Sequence, residues 1–392
     1  MAMQEQKKHP RLRILQVLPA LQSGGVERGT IDLASFLLKK GHVPFVASKG
    51  GDLCRILDEK KIKHFSFDLA SKNPLVILKN VFRLKDIIKA YKIDLVHARS
   101  RAPAWSAYFA AQAAGVPFVT TFHGTYNFEK TFLGRFKKAY NSVMAGGERV
   151  IAISQFIQDH VLANYAKSLK PKALTLINRG VDLKEFSREA VSTKRIQDLR
   201  TQWGLTKEHK VILVPGRLTR WKGQGVVLKA LEILIPQKAC LVCVFIGSDQ
   251  GRHAYRQELD EQVQKASLEN NVRFVDHVDD MPAAYCAGDL VIHASTEPEA
   301  FGRVIIEAQA MEVPVIASNL GAPARIIEKN KTGLLHKAGD HEDLAAQIRQ
   351  ALETDCSPFI KKALTRVQEN YSDRLMFEKT IAVYECVLKR DR

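Results

Sequence analysis

Short, almost wholly apolar runs alternate with amphipathic stretches along most of the chain, and that alternation limits the possible folds more than any other feature. Runs this short that are apolar throughout read as strands covered on both faces. They arise when helices pack on both sides of a parallel sheet. Ile14–Leu18 is the first such strand. A helix is expected over Val26–Lys40, with Val26, Thr30, Leu33, Ala34, Leu37 and Leu38 on one face and Gly41 ending it. Further strands are expected at His42–Ala47, Ile93–Ala98, Phe118–Phe122, Arg149–Ile153 and Ala173–Ile177, with intervening helices that include Ala102–Ala114 and Gln155–Tyr165.

The alternation pauses over the polar stretch 183–208. It resumes at Val211–Val214 and continues through Leu241–Phe245, Val272–Val275, Leu290–Ala294, Val313–Ala317 and Gly333–His336. The expected fold class is therefore α/β, with two Rossmann-like doubly wound domains, 1–185 and 186–372, facing a ligand cleft. The segment 373–392 carries a last helix, Arg374–Lys389, expected to pack back on the first domain.

Other classes are excluded by what is missing. The apolar run Ala239–Gly247 is far too short to span a bilayer. Lys7, Lys8, Arg11 and Arg13 before Ile14 imitate a signal peptide, but Gln16 and Pro19 break the apolar stretch and no small-residue cleavage site follows. It reads as a buried strand behind a basic leader, so a cytoplasmic protein is expected, with contact at the inner face of the membrane. Six cysteines are scattered. Cys240 and Cys243 form a C-x-x-C inside an apolar strand with no second ligand pair nearby, and they read as core residues.

Charge divides the chain. Residues 1–185 hold 30 Lys and Arg against 14 Asp and Glu, whereas residues 186–392 hold 29 against 28. Such a front half either meets something acidic or is simply well solvated. Two segments would carry such a contact. Lys79, Arg83, Lys85, Lys89 and Lys92 decorate an otherwise apolar helix at Leu75–Tyr91, and Phe132, Phe136, Tyr140 and Val143 form an apolar stripe beside Arg135, Lys137 and Lys138. Ordinary packing against the sheet, with lysines kept in water, is the alternative for both.

Three loops share the task of handling a diphosphate. In Ser23-Gly24-Gly25-Val26-Glu27-Arg28 the glycines let the backbone approach a ligand, and the helix start presents free N–H groups. In Pro215-Gly216-Arg217-Leu218-Thr219-Arg220-Trp221-Lys222-Gly223, Arg217 can grip a phosphate with two parallel bonds and Lys222 adds a point charge. The third, Thr296 to Ala308, places Glu299 in a loop and Glu307 in the following helix. This pair suits sugar hydroxyls, acid–base work or metal ligation, and either acid alone is equally a surface cap.

At these loops the chain resembles glycosyltransferase family 4, retaining enzymes of the GT-B fold, nearly end to end. The resemblance rests on Gly24-Gly25-x-Glu27-Arg28, His123-Gly124, Gly180-Val181-Asp182, Gly216-Arg217-Leu218-x-x-x-Lys222-Gly223, and Glu299-x7-Glu307 enclosing Phe301-Gly302. It implies that Arg217, Lys222 and the Gly25 amide neutralise the diphosphate, with Glu307 on the ribose. It also implies that Glu299 and the amides of Ala300, Phe301 and Gly302 hold the donor sugar, and that His123 lies near the reacting carbon. His277 and Val278 are then expected to meet the base through backbone atoms. Ala300 stands where the family usually has glycine, and Arg179 where asparagine is commoner.

The implied activity is hexosyl transfer from a nucleotide-diphosphate sugar, with retention, to a membrane-associated, lipid-linked or envelope glycan of lipopolysaccharide type. Cations and helix N-termini that stabilise the departing diphosphate make a metal or other cofactor unnecessary. No Asp-x-Asp follows a strand, and Asp279-Asp280 reads as a helix cap. Competing readings are a nucleotide-sugar-binding protein without activity, a transferase with a soluble acceptor, and a nucleic-acid-binding protein suggested by a pI near 9.5. The last would have no use for the Glu299–Glu307 pair, and no nucleic-acid partner is expected.

Overall fold

A computed structural model describes residues 11–22, 24–126, 131–238 and 240–390. Lys7, Lys8 and Ser23 lie outside the described residues, as does the side chain of Phe132. Two compact units are present. One runs to Ile177 and takes in the chain again from Phe377, and the other is Asn178–Met376.

The first unit is built on seven parallel strands: β1 (Arg13–Val17), β2 (Val43–Ser48), β3 (Lys63–Ser66), β4 (Leu95–Ala98), β5 (Phe118–Phe122), β6 (Arg149–Ala152) and β7 (Leu174–Leu176). Their order is β3-β2-β1-β4-β5-β6-β7. Ile14, Leu15 and Val17 are wholly buried, as strands covered on both faces require. β3 goes unseen in the sequence because Lys63-His64-Phe65-Ser66 is an edge strand with its ends in solvent, where lysine is at home and no apolar run is needed. The last helix, Asp373–Arg390, joins this unit from Phe377. Phe377 packs on Phe36 with ring centroids 5.2 Å apart. The Tyr384 hydroxyl lies 2.7 Å from His97 Nδ1 in the middle of the core, while His97 Nε2 meets the Thr121 hydroxyl at 2.7 Å. Burial, then the charge of Arg99, pushes the His97 imidazole well below its ordinary range, so it sits there neutral.

The second unit has six parallel strands: β8 (Lys210–Pro215), β9 (Leu241–Ile246), β10 (Val272–Val275), β11 (Leu290–His293), β12 (Val315–Ser318) and β13 (Leu334–His336). Their order is β10-β9-β8-β11-β12-β13. Both sheets are thus doubly wound, with the winding direction reversing between β1 and β4 in one and between β8 and β11 in the other. The loops leaving the carboxyl ends of those strands flank the crevice where such sheets take ligands.

The two compact units part between Ile177 and Asn178, so the polar stretch 183–208, with its expected boundary at 185/186, lies within the second of them. It contains a helix, Thr193–Gln202, fastened to the second unit by Arg195, which donates to both oxygens of Asp280 at 2.7 and 2.6 Å. Arg200 adds a bond to the Ala287 carbonyl at 2.8 Å. Charged anchors hold this helix in place of apolar ones. Cys243 is buried in β9 and its thiol is pushed up by burial, while Cys240, expected in the core, is exposed just before that strand. All six cysteines are free thiols.

The chain enters and leaves the second unit along paired segments. The Val181 N–H donates to the Tyr371 carbonyl at 2.9 Å, and the Asp373 N–H donates to the Val181 carbonyl at 3.0 Å. A β-carbon on Gly180 would stand 2.4 Å from the Asp373 nitrogen, which accounts for glycine there. Gly180→Ala is expected to destabilise by about 2 kcal/mol and lower the melting temperature by roughly 4–8 °C. Calorimetry checks this, and an unchanged melt would show that the two segments can separate freely.

Candidate active site

The loops after β8 and β11 meet because Gly223 has no side chain. At φ +76 its β-carbon would fall 2.0 Å from the Ala294 carbonyl oxygen, so only glycine lets the first loop lie on the second. The Thr296 N–H then donates to the Trp221 carbonyl at 2.8 Å and locks them together. Lys222 crosses from one loop to the other. Its ammonium is 2.5 Å from Glu299 Oε1 and rests 4.6 Å from the centre of the Trp221 ring.

Glu299 is nearly buried, and its surroundings treat its two oxygens differently. His293 Nε2 lies 2.7 Å from Oε1, the Ser295 hydroxyl donates to that same atom, and Lys222 completes the set. Burial on its own would raise this carboxyl. The charge and hydrogen bond of His293, followed by those of Lys222, outweigh it and hold Glu299 well below the usual carboxylate range. The result is an ionised carboxylate anchored through one oxygen. Among the described residues Oε2 has no hydrogen-bond partner, and it is the atom available to a ligand hydroxyl. His293 and Ser295 were missed in the sequence. The signal was a histidine closing a buried strand at its carboxyl end, six residues before an acid in the following loop.

Glu307 sits in the helix Arg303–Ala310, nearly buried. It is held by Arg303 at 2.7 Å and by the Tyr285 hydroxyl, which donates at 3.0 Å. Burial, reinforced by Glu307, drives the Tyr285 hydroxyl well above its usual range, so it remains a donor. Gly302 begins this helix in the left-handed region with no side-chain cap, and its carbonyl accepts from the Ile305 N–H at 3.1 Å. Phe301 is buried with its edge against Tyr371, at a ring separation of 6.0 Å. Ala300 precedes it in the same loop, so no side chain larger than a methyl enters there. Arg217 is exposed and, among the described residues, its guanidinium reaches only Gln250 Oε1, at 3.4 Å, so it is available to an anion.

His277 and Val278 follow β10, two strands from β8 and so about 10 Å along the sheet edge. His277 is exposed beside Asp279 at 3.2 Å, and Val278 is buried. Asp280 caps the next helix by accepting from the Ala283 N–H at 3.1 Å. The remaining expected residues belong to the first unit. Gly24 and Gly25 open the helix Gly25–Lys39 after β1, and Gly24 makes no side-chain cap. His123 stands half-buried just past β5. Among the described residues no group of three His, Cys, Asp or Glu side chains is placed to share a metal ion.

Sequence and structural comparisons bear on this arrangement. The description Glycosyltransferase Family 4 matches residues 23–185, and Glycosyl transferases group 1 matches residues 195–371. A glycosyltransferase from Rickettsia africae is 38% identical, with a TM-score of 0.89 over 97% of this chain and 100% of that one. HepE of Anabaena, solved in complex with UDP-glucose, is 25% identical, with a TM-score of 0.81 over 96% of this chain and 99% of that one. The lipopolysaccharide core biosynthesis mannosyltransferase LpsB of Rhizobium meliloti is 30% identical over 223 residues, which are 55% of this chain and 61% of that protein.

Proposed function

The chain belongs to the glycosyltransferases, of family 4 over its first half and group 1 over its second, and from this we propose that it moves a hexose from a nucleotide-diphosphate sugar to an envelope glycan. The acceptor class is membrane-associated and of lipopolysaccharide type, the anomeric configuration is retained, and no metal is needed. The observation that carries the reading is the meeting of Lys222 and Glu299 beside the exposed Arg217, at the point where the second sheet reverses its winding.

Transfer breaks the bond between the anomeric carbon and the diphosphate oxygen, and negative charge grows on the departing group. Arg217 and Lys222 meet that charge as cations, and the Gly25 amide of the first unit is assigned to the same diphosphate. Glu299, ionised and offering Oε2, accepts hydrogen bonds from the donor sugar. Glu307 does the same for the ribose, and His123 contacts the sugar near the reacting carbon. The backbone at His277 and Val278 receives the base. The UDP-glucose bound by HepE favours a uridine nucleotide. The name of LpsB and the excess of basic residues in 1–185 favour an acidic or lipid-borne acceptor. No helix among the described residues is long and apolar enough to cross a membrane.

Thermal shift with UDP, GDP, ADP and CMP and their sugar conjugates, in EDTA, tests the donor site. A ligand at about 100 times its Kd adds roughly 2.7 kcal/mol to the native state. The expected result is a rise in melting temperature with one nucleotide family, surviving EDTA and lost in Arg217→Ala. A rise that needs a divalent ion would overturn metal independence. No rise with any nucleotide would overturn the donor assignment.

A further inference from the structure

The helix Pro74–Ala90 starts cleanly, with the Asn73 side chain accepting from the Leu75 N–H at 2.9 Å and Pro74 in the first turn. It buries Asn80, Leu84 and Ile88 toward the unit. At about 100° per residue, Leu75, Leu78 and Phe82 lie within roughly 60° of the opposite pole. Their exposures are 76%, 53% and 58%. A helix on the surface of a soluble domain carries one apolar stripe, facing its core. This one carries a second, aimed at solvent, and a stripe of that kind marks a contact surface.

We propose that this outer face is a lipid-docking surface that seats the first unit on an anionic bilayer. Charge selects the occupant. Lys79, Lys85 and Lys89 stand around the stripe with Arg83, against the single acid Asp86 on that exposed side, within a half-chain holding 30 basic and 14 acidic residues. Apolar side chains entering the acyl boundary while lysines meet lipid phosphates is how interfacial helices bind. On the next helix, Arg101–Ala114, Phe109 is likewise 47% exposed. The Ser106 hydroxyl ties the two helices together through the Ile77 carbonyl at 3.3 Å.

The inference rests on the proposal of a membrane-borne acceptor, and its test is independent of catalysis. The full chain is sedimented with vesicles of phosphatidylcholine alone and with added phosphatidylglycerol, without donor or acceptor. Binding is expected to the anionic vesicles and to weaken as salt rises. The triple variant Leu75→Ser, Leu78→Ser, Phe82→Ser is expected to lose at least tenfold in partition with an unchanged melting temperature, since those side chains are already in water. Lys79→Glu with Lys89→Glu provides a second variant, which is expected to lose the preference for anionic lipid. Wild type that stays in the supernatant, or a triple variant that binds as well as wild type, overturns the proposal. So does gel filtration showing a dimer that the triple variant dissolves, which would make the occupant a second copy. Vesicle binding that fails beside an intact nucleotide shift removes only this surface. A failed nucleotide shift beside intact vesicle binding removes the transferase site instead.

Discussion

Lys222→Ala is expected to lower kcat by about 10²- to 10³-fold, the loss seen when one preorganised charge-stabilising donor is removed from a reaction centre. Lys222 is the one cation of the proposed site that the structure already holds in place, between Glu299 Oε1 at 2.5 Å and the Trp221 ring. Holding it beforehand removes the reorganisation that a free lysine would need as the leaving charge develops. The variant should still fold, because Glu299 keeps His293 and Ser295. Slow hydrolysis of the donor in the absence of acceptor, followed by proton NMR, gives kcat and KM without knowledge of the acceptor. The same trace reports the anomer released first, which is expected to match the donor. A kcat within threefold of wild type would take Lys222 out of leaving-group stabilisation, and release of the opposite anomer would overturn retention.

The second large effect concerns stability. Glu299→Gln removes the charge from a nearly buried carboxylate and leaves Lys222 and His293 facing an amide. Breaking a buried pair on one side costs about 3 kcal/mol or more, because the remaining charge is left uncompensated. Urea unfolding at neutral pH should show this deficit. Glu299 is held below the ordinary carboxylate range when folded. Its contribution is therefore fully present above that range and falls away as pH is lowered toward the folded value. The gap between wild type and Glu299→Gln should accordingly narrow in acid. A gap that stays constant down to strongly acidic pH would mean that the loss comes from packing, not charge.

Much of this protein is legible along the chain because the relevant physics is local. A strand covered on both faces must be apolar at every position, and Ile14–Leu18 and Leu241–Phe245 declare themselves for that reason. The same rule hides β3, which lies at an edge and has no second covering layer. It also hides the helix Thr193–Gln202, whose anchors are Arg195 on Asp280 and Arg200 on a carbonyl, not a leucine stripe. Arg217, Lys222 and Glu299 could be picked out as candidates because arginine, lysine and carboxylates in loops at strand ends have few structural reasons to be there, and Glu307 stood out as the second acid of the pair, in the helix that follows.

How those residues combine is another matter. The pairing of Lys222 with Glu299 spans 77 positions, and that of Tyr384 with His97 spans 287. No periodicity reports on such contacts, since it concerns neighbours two to four residues apart. Strand order, which sets β8 beside β11 and so creates the crevice, is decided by the packing of helices and sheet together. So is the orientation of His293, which reads as one more residue of a buried strand until Glu299 is folded against it. Likewise the sequence shows that Leu75, Leu78 and Phe82 share a stripe, but only the tertiary structure decides that Leu84 and Ile88 take the core and leave that stripe in water. Composition and spacing determined most of the elements and the ends at which chemistry could occur, and the loop motifs carried the resemblance to the family. Long-range packing decided which side chains meet, because the free energy of a contact depends on what the rest of the fold has already buried.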